Sequence, residues 1–487
     1  MRFIDDKSLE RLGFTKLLNK VEPLSPYGNE KLKKLKIYAQ GEEGELAEEF
    51  NKMEKFIEFS NNNRDLVRNA EISIHKMKNI RTILNNCLKG NILDDVDFFE
   101  LKIQGILMQE LNSYIKSFPE EFSQYCLHDI EEIIDVLDPD KERIPTFYIY
   151  DSYSETLKGI RTQKKSIETK IFATKDMEQK TQLKQQRLNI LVEEEKEELK
   201  IREELTKTIF KYSERYLENI EKIANLDFLM AKVRFALKYE GIKPKISDNF
   251  EIDAKGLVNI EVKEMLKSKG KPFTPIDIKL KSGVTVITGA NMGGKSVALK
   301  TITENLLLFN CGFFVIASEA TFPIVDFVFF ISDDMQDISK GLSTFGAEIV
   351  KLKEVNIFLD KGRGFIVFDE FARGTNPKEG QKFVKALAQY LNAKDSISVI
   401  TTHFDGVASK EMNHYEVVGL KNVDFSKLKS KINITTNSMS LIQDYMDFRL
   451  EKSEDSEVPK DALNIAKLIG INERFANIIL QEYSKED

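Results

Sequence analysis

The chain has 487 residues, a formal net charge of −7, 41% hydrophobic and 31% charged residues, 33 Phe, 14 Tyr and no Trp. That length exceeds what one hydrophobic core usually serves, so two or three domains are expected, and a charged composition with only 11 Pro suits long solvated helices rather than a β-sandwich. The acidic balance argues against a dedicated nucleic-acid coat protein and leaves a local basic groove open.

Residues 1 to about 150 follow a helical rhythm, through Leu9, Leu12, Leu17, Leu18 and Val21, with turn signals at Pro23, Pro26 and Gly28. They predict a helical core domain, 1–150. Residues 151–240 lack Pro from Ser154 on and hold one Gly there, Gly159. Charges saturate the sequence between sparse apolar positions such as Ile160, Ile167, Ile171, Leu183 and Leu188. This predicts a lever made of two long helices folded back near residues 173–176. VEEEKEELKIREEL, inside it, reads as a solvated helix face. At Gly241 the texture changes to short alternating stretches (FEIDAKGLVNIEV, IDIKLKSGVTVI), which predict strands and open an α/β nucleotide-binding domain, 241–440. Residues 441–487 return to helical spacing at Leu463, Ile465, Leu468 and Ile469.

Within the third segment, VTVITGANMGGKSVALK (284–300) reads as strand, glycine-rich turn and helix start, and fits G-x-x-x-x-G-K-[ST]. Glycines let backbone N–H groups curl around phosphate oxygens, and a helix N-terminus adds its positive end. The candidate nucleotide contacts there are Gly289, Gly293, Gly294, Lys295, Ser296 and Val297. Lys295 is suited to the β/γ-phosphates and Ser296 to Mg²⁺. GFIVFDEF then places Asp369 and Glu370 at the end of a buried strand, and SISVITTHF delivers His403 off another. Asp369 suits holding Mg²⁺ through its water ligands, Glu370 activating water, and His403 contacting the γ-phosphate. ATP and Mg²⁺ are the expected cofactors, and Lys295, Glu370 and His403 the catalytic set.

Four segments carry a family resemblance: TGANMGGKS (288–296), LSTFGAE (342–348), FDEFARGTNPKEG (368–380) and TTHF (401–404). Together they resemble the MutS family of ABC-type ATPases. The fold implied is an ABC-type P-loop ATPase domain behind a mostly α-helical core and lever domain. The resemblance implies a homodimer with composite ATP sites, in which Ser343 and Thr344 face the γ-phosphate held by the other subunit. The family resemblance adds Asn291 to the candidate nucleotide contacts. Phe273, in KPFTPIDI, matches the aromatic that stacks on adenine, with a core role the open alternative. Residues 441–487 resemble a C-terminal helical dimerisation element.

Departures from the family pattern shape the expected function. The chain starts in helical material, which implies a short branch lacking the mismatch-recognition and connector domains. Phe56-Ile57-Glu58 has the Phe-x-Glu form that one mismatch reader inserts into DNA, yet it lies in a helical pattern and reads as helix. The DNA-encircling clamp has room only for a turn. The expected function is therefore a dimeric ATPase that moves helical arms on a DNA client without reading mismatches. The alternative is a protein client, since short relatives resemble the ATPase that reactivates adenosylcobalamin-dependent aminomutases. Cys87, Cys126 and Cys311 are too far apart to suggest a disulfide framework or a zinc site, and the four His show no metal spacing. An acidic N-terminus and the lack of any 18-residue apolar run point to a cytoplasmic protein with no membrane partner.

Overall fold

The computed structural model describes residues 3–289, 294–332, 344–420, 446–453 and 471–483. Packing separates two units: Glu22–Leu35 with Lys55–Val233, and Met1–Val21 with Lys36–Glu54 and Arg234–Asp487. In chain order the first helices are α1 (Asp6–Leu12), α2 (Phe14–Leu18), α3 (Pro26–Lys33), α4 (Glu43–Asn62), α5 (Arg64–His75), α6 (Arg81–Leu88), α7 (Asp95–Ile115), α8 (Glu131–Leu137), α9 (Glu155–Ala173) and α10 (Met177–Lys238).

The helical unit is fixed by a few polar anchors inside an apolar packing. Ser25 caps α3 by accepting from Gly28 N, with Pro26 in the first turn. Asp227 of α10 accepts from Leu24 N (2.9 Å), Ser25 N (2.7 Å) and Ser25 Oγ (2.6 Å), which ties the entrance of α3 to α10. α7 opens with a reciprocal capping box between Asp94 and Asp97. In the middle of α7, fully buried Lys102 donates to Asp138 (2.8 Å), Thr146 O (3.0 Å) and Tyr150 Oη (3.2 Å). Phe56 is buried in α4 among Phe59, Phe118 and Phe122. That burial removes the Phe-x-Glu segment as an inserting wedge.

Three residues separate α9 from α10, and the two helices run antiparallel as an arm. The 62 residues of α10 extend about 93 Å at 1.5 Å per residue. Arg161 of α9 is the hub of the arm's root: its guanidinium donates to Glu194 (3.0 Å), Glu198 (2.8 Å), Asp151 (2.6 Å) and Ile149 O (2.8 Å). Lys164 also reaches Glu194, and Arg187 reaches Glu168 at 2.7 Å. Burial would raise the Glu194 carboxyl, but Lys164 and Arg161 outweigh it and hold it below the ordinary glutamate value.

The second unit adds β1 (Lys245–Ile246), β2 (Ile252–Leu257), α11 (Ile260–Ser268), β3 (Ile276–Leu280), β4 (Gly283–Thr288), α12 (Lys295–Asn310), β5 (Glu319–Phe322), β6 (Phe327–Ser332), α13 (Thr344–Leu359), β7 (Gly364–Asp369), α14 (Pro377–Asn392), β8 (Ile397–Thr401), β9 (Asn413–Gly419), β10 (Asp447–Lys452) and α15 (Glu473–Tyr483). Among the described residues, one sheet has the order β1-β5-β2-β3 and the larger β10-β9-β4-β8-β7-β6. The larger sheet is parallel from β9 to β6, with β10 antiparallel at its edge. β4, β7 and β8 are buried along their whole length, as expected of parallel strands covered on both faces. α12 is buried nearly all round. Its polar interior residues are engaged: Asn305 accepts from Ile316 N (2.8 Å), and Asn310 donates to Tyr38 O and Val325 O (both 3.2 Å).

Residues 447–452 correct the reading of the tail as helical from 441. They form an edge strand paired with β9, because DFRLEK alternates, with Leu450 buried between exposed Arg449 and Glu451. Residues 421–445 and 454–470 lie outside the described residues.

Candidate active site

Cross-strand register brings the site together. Thr401, the last residue of β8, is paired with Ile287 of β4 on one side and Asp369 of β7 on the other. The C-terminal ends of these strands therefore share one edge of the sheet, where open α/β sheets place their ligands. Thr401 Oγ1 donates to Asp369 Oδ1 at 2.7 Å and accepts from Glu370 N at 3.0 Å, so one hydroxyl orients both acidic residues. Thr402 N donates to Ile287 O (3.1 Å), closing β8 onto β4.

Lys295 begins α12 and is buried. Its ammonium donates to Gly289 O at 2.7 Å and lies 3.5 Å from Glu370 Oε1. Burial pushes this lysine below the ordinary value, and the Glu370 carboxyl partly restores it. Glu370 Oε2 accepts from Arg373 Nη1 at 2.8 Å, so the carboxyl is shared between two cations. Glu370 and Ala372 both have positive φ, 54° and 62°. Strained backbone of this kind collects at functional sites.

The two described glycines of the loop are there for steric reasons. Gly289 has φ 141° and a Cβ there would come 2.9 Å from Val417; Gly294 has φ 87° and a Cβ would come 2.9 Å from the Phe448 ring. β9 and the edge strand β10 thus pack directly against Gly289 and Gly294. Gly294 caps α12 without a side-chain bond, and the helix start presents its positive end there.

Ser296 is exposed and Val297 half-buried in the first turn of α12. His403 follows β8, with its ring 4.3 Å from that of Phe404. Phe273 sits half-buried in the loop ahead of β3, in the smaller sheet rather than at the edge formed by β4, β8 and β7. Thr344 is the first residue of α13. Asn291, Gly293 and Ser343 lie outside the described residues. No group of three or more His, Cys, Asp or Glu able to hold a metal occurs among the described residues.

A strand ending in a glycine loop and helix, with two carboxyls on the next strand but one, matches a known family model. Residues 285–471 fit the description MutS domain V. The matched stretch holds Lys295, Asp369, Glu370, Thr401 and His403.

Similar curated proteins are endonucleases MutS2. The one from Halothermothrix orenii is 34% identical over 221 residues, 44% of this chain and 27% of that protein. The one from Aquifex aeolicus is 31% identical over 279 residues, 56% of this chain and 35% of that protein. The one from Brevibacillus brevis is 25% identical over 354 residues, 71% of this chain and 43% of that protein. The chain thus spans well under two thirds of these relatives' length. No described helix is long and apolar enough to cross a membrane.

Residues that sequence reasoning did not single out also contact these groups. Thr401 stood inside the TTHF segment, but its double role needs the strand register. Arg373 and Ala372 stood inside FDEFARGTNPKEG, and nothing local marks Ala372 for positive φ. Glu348 closes LSTFGAE, and its partner lies 24 residues away.

Proposed function

We propose that the MutS domain binds ATP with Mg²⁺ at the loop between β4 and α12 and hydrolyses it, and that hydrolysis moves the α9–α10 arm on a DNA client. The observation that carries the reading is the meeting of Lys295, Asp369 and Glu370 at one sheet edge beside the start of α12. Phosphoryl transfer needs charge neutralisation and a positioned water more than covalent help, and these groups supply both.

Lys295 and the start of α12 would neutralise the phosphates. Ser296 and Asp369 are oxygen donors that fit Mg²⁺, which supplies further neutralisation of phosphate charge when bound. Glu370 would orient and deprotonate the attacking water once Lys295 turns from it toward the phosphates. His403 would contact the γ-phosphate, and Phe273 the adenine. A second copy, through Ser343 and Thr344 at the start of α13, would complete each site, which makes the working form a homodimer.

The arm's charge distribution supports a polyanionic client. The acids at its root, Glu194, Glu197 and Glu198, are paired within the arm. Toward the turn, Lys165, Lys170, Lys175, Lys180 and Lys184 enter no ion pair among the described residues, and Phe172 is 90% exposed. Unpaired lysines at the end of an acidic protein's longest element suit phosphate contacts.

The test is ATP hydrolysis by the purified full chain with Mg²⁺, with DNA binding measured across a salt series. Hydrolysis abolished by Lys295→Ala, with DNA affinity falling steeply with salt, is expected. A chain that neither binds nor hydrolyses ATP would end the reading, and ATP hydrolysis with no DNA binding would end its DNA half.

A further inference from the structure

Glu348 is fully buried in the second unit, and the mechanism above does not use it. It stands one turn into α13, and its Oε2 accepts a hydrogen bond from Ala372 N at 3.1 Å. Ala372 is itself buried, with φ 62°, two residues beyond Glu370 at φ 54°. A non-glycine residue in this region is sterically strained relative to ordinary backbone, so the turn relaxes unless its surroundings hold it.

Among the described residues, contacts from three elements hold it. Thr401 of β8 accepts from Glu370 N. Gly380 of α14 lies so close that a Cβ would come 2.9 Å from Ala372 O. Glu348 of α13 holds Ala372 N. Phe345, on the first turn of the same helix, adds ring contacts with Phe371 (6.4 Å) and Phe383 (5.2 Å). The sheet, α14 and α13 all pack into the domain core, α13 through Val355, and α13 starts at Thr344, next to the segment assigned above to the second subunit's γ-phosphate.

We infer that Glu348 is a positioning residue: it holds the 370–372 turn in its strained form, so that the Glu370 carboxyl is aimed for catalysis only when α13 is in place. The inference rests on the reading of the site as an ATP hydrolase and deepens it by naming how the trans contact regulates the cis glutamate. A displacement of α13 by the second subunit is passed to Ala372 N through one buried hydrogen bond, and a small rotation at Ala372 swings Glu370.

The experiment measures steady-state ATP hydrolysis by the full chain for Glu348→Ala, Glu348→Gln, Glu348→Asp and each of the Ala and Asp variants combined with Ala372→Gly. Thermal melting is followed in parallel. Glu348→Ala is expected to lower kcat about tenfold with KM for ATP within about twofold, the mark of a misplaced group rather than lost binding. Glu348→Gln keeps an acceptor oxygen and is expected to retain most of the rate. Ala372→Gly, which adopts φ 62° without strain, is expected to restore part of what Glu348→Ala removes. Should Glu348→Ala not fold, Glu348→Asp withdraws the carboxyl by one methylene and carries the same test. A wild-type kcat in Glu348→Ala or Glu348→Asp would overturn the inference, as would equal loss of kcat and ATP affinity with no rescue by Gln or by Ala372→Gly. A wild-type chain without ATP hydrolysis would instead sink the hydrolase reading.

Discussion

Glu370 Oε1 lies 3.5 Å from Lys295 Nζ, and both side chains are largely buried. The pair joins the start of α12 to the end of β7, so the cation proposed to meet phosphate and the carboxyl proposed to meet water are held in mutual register. Glu370→Gln keeps the shape and removes the base. Hydrolysis should fall by about 10²–10³-fold while ATP binding, read by a fluorescent nucleotide analogue, stays within a few-fold of wild type. Unchanged turnover in Glu370→Gln would remove the residue from the mechanism.

The loop glycines predict a dissectable steric effect. Gly294→Ala should abolish measurable ATP binding, since φ 87° and the Phe448 ring both oppose a Cβ. Adding Phe448→Ala removes the collision and leaves the backbone strain, so binding should return only in part. Full recovery in the double variant would mean that backbone strain at 294 is unimportant.

Buried Glu304 predicts a pH dependence of stability. It sits on α12, accepts from Asn259 Nδ2 at 2.8 Å, and burial pushes its carboxyl up to about 8, with Glu261 adding to the rise. The unfolded chain loses this proton near the ordinary value of 4.5, while the folded chain keeps it until about 8. Across that window the folded state binds more protons, so stability is greatest below about 4.5 and falls as pH rises toward 8. Glu304→Gln cannot lose a proton, and its advantage over wild type should grow to the order of 3 kcal/mol between pH 5 and pH 8. Denaturant melts at three pH values check this. A constant difference would refute it.

The Lys102–Asp138 pair in the helical unit predicts a large asymmetric effect. Both side chains are fully buried, and Asp138 Oδ2 also accepts from Arg143 N at 2.7 Å. Lys102→Met removes the buried cation and leaves Asp138 only the longer pair with Arg143 at 3.7 Å, and should cost about 3–5 kcal/mol. Lys102→Met with Asp138→Asn should recover a substantial part, because no uncompensated charge remains. Equal losses in the single and double variants would show that packing, not charge, dominates there.

Much of the architecture was legible from local pattern. A run of apolar residues ending in Thr288 and a glycine turn is enough to announce a buried strand and the start of α12, and four apolar residues before Asp369 announce β7. The absence of Pro and the scarcity of Gly after Ser154 left α9 and α10 as the one reading compatible with backbone propensity, with the turn at 174–176. These features depend on residues within a few positions of each other, which is the range over which period and propensity act.

The tertiary structure alone decided the rest. Residues 1–21 and 36–54 pack with the sheets while 22–35 joins the helical unit, a division set by contacts more than a hundred positions apart, such as Ser25 with Asp227. The edge strand β10 earns its place through pairing with β9, not through its own weak alternation. Thr401 bridges to Asp369 across 32 positions, and Glu348 reaches Ala372 across 24. Sequence by itself marked Lys295, Asp369 and Glu370 as candidate groups for the site and left Thr401, Arg373 and Glu348 unmarked. Only the fold decided their aim, because the hydrogen bonds that orient them close between segments whose separation in the chain no local period encodes.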